Sequence, residues 1–98
     1  MLNFWKKLNK PILALAPMAG YTNSSFRQIC KCYGADVVYS EMANATALSF
    51  GGKKTLELLE FNKAERFFVV QLFGNNPKYF QNAARVVTEK IGPDGIDL

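Results

Sequence analysis

The sequence predicts an α/β fold in which short strands alternate with helices and form a parallel sheet. The strand candidates, residues 12–16, 36–40, 67–73 and 95–98, are short, and the first three are almost continuously apolar. Such runs are typical of strands that are covered on both faces. Two segments between them carry apolar residues at helical spacing. The strict alternation of a half-exposed antiparallel sheet is absent, so a parallel sheet with helical crossovers is favoured.

The first helix lies between the first two strands. Thr22 or Asn23 is its predicted N-cap, and Gly34 is its predicted end. One buried face is predicted from four residues with i, i+3, i+4, i+7 spacing: Phe26, Ile29, Cys30 and Tyr33.

The helix after the third strand has equally clear signals. Asn76 is its predicted N-cap, Pro77 its first residue, and Gly92 and Pro93 end it. Its predicted buried face consists of Phe80, Ala83, Ala84, Val87 and Ile91.

The segment 42–60 is less regular. A short helix is predicted over residues 43–50, with a break at Gly51 and Gly52. Leu56 and Leu59 then mark one face of another short helix.

The number of units favours part of a barrel. A (β/α)₈ barrel uses roughly 250 residues, or about 31 per unit. The 98 residues therefore predict the N-terminal fragment of a TIM barrel over residues 11–98, with about three β/α units and the start of a fourth strand. Because this strand runs to Leu98 without a cap or polar tail, we expect a truncated chain. A doubly wound sheet is the alternative, but its first turn usually carries a glycine-rich phosphate loop, and residues 17–22 contain one glycine.

Composition excludes several classes of protein. The chain is 49% hydrophobic and 20% charged, as is typical of a globular protein. Three of its four net positive charges come from Lys6, Lys7 and Lys10, so residues 1–10 are predicted to be a basic N-terminal tail that serves solubility more than nucleic-acid binding. No run approaches the ~18 apolar residues of a membrane span. The apolar run 12–16 is too short for a signal peptide, so a cytoplasmic protein is expected.

Cys30 and Cys32 are the only cysteines, and there is no histidine. Two positions apart on a helix, these cysteines point to different faces and are predicted to be free thiols. A structural zinc site is not expected. The absence of histidine also removes Ser-His-Asp and Cys-His mechanisms from this chain alone.

Candidate site residues follow the strands, because barrel active sites lie at the carboxyl ends of the strands. Ala19 and Gly20 permit a tight turn, the favoured interpretation, or the close approach of a planar cofactor. Gln71 interrupts an apolar strand with an amide that suits either the edge of a heterocycle or an internal network. Glu41 has two interpretations: a catalytic or substrate-binding carboxylate, or a charge on a loop. The loop interpretation is favoured.

Seven short segments then carry a resemblance. They are APMAGYTN at 16–23, FR at 26–27, YGAD at 33–36, SEM at 40–42, ER at 65–66, VQLFG at 70–74 and DGIDL at 94–98. In this order and spacing, the chain from about residue 11 to 98 resembles the opening of the tRNA-dihydrouridine synthase family. Asn23 stands where the family often has Asp, and Phe67 where proline is common.

The resemblance implies a barrel that binds FMN. The flavin, reduced by NADPH, would exchange hydride between its N5 and C6 of a uracil in tRNA, while a cysteine handles the proton at C5. It also implies that Pro17, Met18 and Ala19 line the flavin and that Gln71 hydrogen-bonds it. No metal and no membrane are implied.

The family continues beyond the match into an Asn-x-Gly-Cys-Pro motif with the proton-donating cysteine, then into flavin-phosphate residues and a basic helical domain. Cys30 and Cys32 do not match that cysteine. These 98 residues are therefore expected to be inactive alone. Two alternatives remain open: a small-molecule flavin barrel of the dihydroorotate dehydrogenase type, and a non-catalytic truncated module.

Overall fold

A six-residue strand, β4 (Phe68–Phe73), is the centre of the sheet. The structure, a computed structural model, describes residues 3–98. The other strands are β1 (Ala14–Leu15), β2 (Val37–Tyr39), β3 (Ala43–Asn44) and β5 (Gly95–Asp97). β1 pairs with β2, and β4 pairs with β2, β3 and β5, always in parallel. The predicted parallel α/β sheet is confirmed.

The strand order distinguishes the two predicted folds. β2, β4 and β5 follow β1 across the sheet in chain order, and β3 continues β2 along the same edge of β4. A doubly wound flavodoxin-like sheet places its first strand between two others. The observed order is that of consecutive barrel strands, so the sheet corresponds to part of a TIM barrel, with three β/α units and a fourth strand.

The helices are α1 (Ser24–Cys32), α2 (Ala45–Ser49), α3 (Lys53–Leu58) and α4 (Pro77–Lys90). The N-caps of α1, α2 and α4 are asparagines, whose Oδ1 atoms accept backbone N–H bonds one turn into the helix: Asn23, Asn44 and Asn76. Asn44 also belongs to β3, so α2 begins two residues later than predicted.

The predictions for the two long helices have different outcomes. In α4, Ala83 and Val87 are buried in the core between helices and sheet, as predicted. Of the stripe predicted for α1, Phe26 and Cys30 are half-buried. Ile29 is 55% exposed, and Tyr33, just after the last residue of the helix, is 88% exposed, so a buried face is wrong for these two. α1 packs on β2 and on the 3₁₀ turn Lys63–Glu65 through its other side, where Arg27 is buried.

The face of the sheet that points away from the helices, the inner face, has its own small apolar cluster. Val37 and Val69 pack there against Phe4, which lies in a 3₁₀ turn, Phe4–Lys7, and is 4% exposed. A Cβ at Gly95 would lie 3.4 Å from the Phe4 ring, so glycine leaves room for this contact. The segment 1–10, predicted to be a basic tail, therefore has at least one residue anchored on the sheet.

Within residues 3–98, the structure contains no helix with the length and hydropathy of a membrane span.

Candidate active site

The turn after β1 carries three of the predicted site residues, Pro17, Met18 and Ala19. The carbonyl oxygen of Met18 accepts the N–H groups of Tyr21 and Thr22, both at 3.0 Å. The buried Thr22 hydroxyl also bonds both the N–H and the carbonyl of Met18, each at 3.1 Å. Backbone bonds and the Thr22 side chain thus hold the turn, and Ala19 and Gly20 are exposed at its tip.

The segment between β2 and β3 contains a β-bulge, and this bulge contacts the turn after β1. Tyr39 pairs with Val69 and Ala43 pairs with Leu72, so three residues of the β2–β3 segment face two residues of β4. In the bulge, Glu41 extends to the β1 turn, and its Oε1 accepts the Gly20 N–H at 2.6 Å. Glu41 is therefore a clamp on the turn, whereas the sequence favoured a simple loop charge.

The same bulge reaches Gln71. The buried hydroxyl of Ser40 accepts the backbone N–H of Gln71 at 3.1 Å and donates to the Glu41 carbonyl at 2.7 Å. A path of hydrogen bonds and of the Glu41 residue itself thus runs from the Gly20 N–H to the Glu41 carboxylate, and from the Glu41 carbonyl through the Ser40 hydroxyl to the backbone N–H of Gln71. This path joins the two separate sets of predicted site residues.

The Gln71 side chain is half-buried and bonds a residue that sequence reasoning did not select. Its Nε2 donates to Asp97 Oδ2 at 2.7 Å, across the β4–β5 pairing in which these two residues face each other. No fully buried side-chain nitrogen or oxygen among residues 3–98 lacks a partner. Since Oε1 of Gln71 bonds no described residue, it is accessible. The strand period could have identified Asp97, because it lies opposite Gln71 on the same face.

Tyr39 completes the polar group on this face. Burial, and secondly the negative charge of Asp97, raise the pKa of the Tyr39 hydroxyl. Tyr39 therefore carries a neutral hydroxyl at physiological pH. Three neighbouring strands thus supply one polar side chain each to the inner face: Tyr39, Gln71 and Asp97.

A buried ion pair supports the turn from behind. Arg27 Nε donates to Glu65 Oε1 at 2.5 Å, and the two side chains are 1% and 0% exposed. The Arg27 guanidinium also donates to the Thr22 carbonyl at 2.7 Å and to the Glu60 carbonyl at 3.0 Å. Because Thr22 holds Met18, this pair fixes the base of the candidate site.

The residues fit the edge and face of a planar heterocycle. Ala19 and Gly20 are small, and a Cβ at Gly20 would meet no atom within 4 Å. Met18 is 39% exposed and offers apolar surface beside the turn. The accessible Gln71 amide oxygen supplies a hydrogen-bond acceptor. No group of three or more His, Cys, Asp or Glu side chains in residues 3–98 is arranged to hold a metal ion.

Comparison with known proteins agrees with this architecture. The dihydrouridine synthase (Dus) family model matches residues 14–98. A probable tRNA-dihydrouridine synthase of Aquifex aeolicus is 39% identical over 84 residues, which cover 86% of this chain and 26% of that protein. A probable tRNA-dihydrouridine synthase of Helicobacter pylori is 36% identical over 90 residues, 92% of this chain and 27% of its own length. A human tRNA-dihydrouridine(47) synthase [NAD(P)(+)]-like protein is 37% identical over 88% of this chain and 13% of its own.

The chain thus spans about a quarter of the bacterial relatives' length. The family match covers the five strands found in residues 3–98 and the whole candidate site. This chain belongs to the dihydrouridine synthase family.

Proposed function

We propose that the complete protein containing this chain reduces uridine in tRNA to 5,6-dihydrouridine in the cytoplasm, with FMN as cofactor and NADPH as reductant. Residues 11–98 form part of its FMN-binding barrel, and residues 1–10 are an N-terminal segment from which Phe4 packs on the sheet. The observation that carries the proposal is the hydrogen-bonded path from the β1 turn to Gln71 at the carboxyl ends of the strands. Strand ends of this kind hold the active sites of barrel enzymes.

Each proposed flavin residue has a distinct part. Pro17, Met18 and Ala19 form a surface beside the ring, where the Ala19 side chain is small enough to allow close approach and Met18 excludes water. Gln71 bonds the polar edge of the ring with its amide. FMN, when bound, supplies the hydride chemistry, and these residues supply its position.

The proton for the pyrimidine would come from a cysteine other than Cys30 and Cys32. Cys30 and Cys32 lie on α1, which packs in the outer layer against β2 and the Lys63–Glu65 turn. Neither thiol belongs to the inner face that carries Gln71. General acid catalysis contributes about 10²–10⁴-fold, so we expect the 98 residues alone to form no measurable dihydrouridine.

The experiment uses the complete protein, unmodified tRNA and NADPH, with dihydrouridine measured in digested tRNA by mass spectrometry. The purified protein should carry FMN, identified after acid release, and dihydrouridine should form only when NADPH is present. Oxidation of dihydroorotate without action on tRNA would instead support the small-molecule alternative. A protein that retains no flavin and acts on neither substrate would support a non-catalytic module.

A further inference from the structure

Asp97 has no part in the function proposed so far, although it contacts the central residue of the site. It pairs with Gln71 across neighbouring strands, and its Oδ2 accepts the Gln71 Nε2–H at 2.7 Å. We propose that Asp97 is a positioning residue that turns the Gln71 amide so that Oε1 faces the ligand, and that the site thereby selects a ring edge bearing an N–H donor. This inference rests on the proposed function and adds to it the polarity of the contact.

The chemistry of the pair fixes the orientation. An ionised carboxylate only accepts hydrogen bonds, whereas an amide has one accepting end and one donating end. A flipped Gln71 would bring its Oε1 against Asp97 Oδ2, where both atoms are acceptors and repel each other. Both side chains are half-buried, so water competes only partly for these bonds. The Gln71 amide is therefore held with Nε2 toward Asp97.

The orientation decides which atoms of a ligand are recognised. Oxidised flavin has a single ring N–H, at N3, between two carbonyl groups. An amide that presents Oε1 accepts from N3–H, whereas a flipped amide would donate to a carbonyl. A correctly held amide should therefore discriminate FMN from 3-methyl-FMN, in which the donor is replaced by a methyl group.

The test measures dissociation constants of FMN and 3-methyl-FMN for the complete apoprotein by quenching of flavin fluorescence. In the parent, 3-methyl-FMN should bind at least about tenfold more weakly, as expected for one lost hydrogen bond and a steric conflict. In Asp97→Ala, the amide turns freely, and the ratio of the two constants should fall about 5-fold, the equivalent of one neutral hydrogen bond. Glu89→Gln, an exposed change on α4, is the control and should leave the ratio at the parent value.

A double exchange separates orientation from simple structural support. In Gln71→Glu with Asp97→Asn, the new amide donates to one carboxylate oxygen, and the other oxygen still accepts from N3–H. Discrimination should then return toward the parent ratio. If Asp97→Ala weakens both flavins equally, or if the exchange does not recover discrimination, the positioning role is wrong. If the parent itself binds no FMN, the proposed function fails instead.

Discussion

Two carboxylates, Glu65 and Asp97, differ in their surroundings. Glu65 belongs to the buried cluster that supports the fold, and Asp97 belongs to the candidate site. Glu65 is fully buried, and its two oxygens accept bonds from Arg27, Ser24 and the backbone of Asn62. Asp97 is half-buried, bonds Gln71 and lies near Tyr39 on a face that has open polar atoms. A buried carboxylate with saturated oxygens fixes the fold. Asp97, by contrast, is partly open and lies beside an amide with an accessible oxygen, and we propose that this pair binds a ligand.

The largest expected effect is on the supporting cluster. Glu65→Ala leaves the buried Arg27 guanidinium without its counter-ion, so the free energy of unfolding should fall by about 3–5 kcal/mol. Denaturant unfolding of the complete protein, followed by circular dichroism, measures the change. The control is Arg66→Ala, since the Arg66–Asp94 pair is exposed on its arginine side and should contribute at most ~1 kcal/mol. If the two variants lose equal free energy of unfolding, the buried Arg27–Glu65 pair does not stabilise the fold more than the exposed Arg66–Asp94 pair.

The second prediction concerns the contribution of Gln71 to flavin binding. Gln71→Ala removes the proposed flavin contact and should weaken FMN binding about 5- to 150-fold, the equivalent of ~1–3 kcal/mol for an unsatisfied partner. The matched control is Gln81→Ala, because Gln81 is exposed on α4 and should leave FMN affinity unchanged. The measurement is a flavin titration followed by fluorescence. An unchanged constant for Gln71→Ala would return Gln71 to a purely internal network with Asp97.

Glu41 should have a smaller effect on flavin than Gln71. Its carboxylate clamps the Gly20 N–H, but the bond is exposed and water can replace it in part. Glu41→Ala should therefore weaken FMN by about 2- to 10-fold, from ~0.5–1.5 kcal/mol for one hydrogen bond. Glu41→Gln retains an accepting oxygen and should recover most of the affinity in the same titration. A loss in Glu41→Ala as large as in Gln71→Ala would mean that the turn, and not the amide, dominates flavin binding.

Local signals predicted the parts of the fold that depend on local chemistry. The asparagine caps, Pro77 at the first position of α4 and the apolar strands all lie within a few residues of the elements that they specify. The exposed side of α1 was missed because periodicity shows that a helix is amphipathic without showing which side has a neighbour. Among residues 3–98, no element covers Tyr33.

The contacts within the site depend on register, which the sequence expresses only weakly. Gln71 was selected because an amide in an apolar strand is unusual. Asp97 was missed because its role depends on which residue of β4 lies opposite it. The clamp by Glu41 needs the extra residue of the bulge, which only the pairing with β4 reveals. Phe4 was likewise hidden in a lysine-rich segment, since its partners lie on three distant parts of the chain: Val37, Val69 and Gly95.

The smallest expected effect is a titration above neutral pH. Burial first, and the charge of Asp97 second, raise the pKa of Tyr39 above the ordinary 10.0 of tyrosine. The folded protein therefore holds this proton when the unfolded chain has released it. The associated stability is fully present below pH 10.0 and is lost as the pH rises through the raised pKa.

The difference in phenolate absorbance between the parent and Tyr39→Phe should show one group titrating above pH 10.0. Asp97→Asn should lower the pKa of this group only part of the way toward 10.0, because burial remains. If the Tyr39 titration does not respond to Asp97→Asn, the two side chains do not lie close together on the inner face. The description of Asp97 as part of a polar site, in contrast to Glu65, would then be wrong.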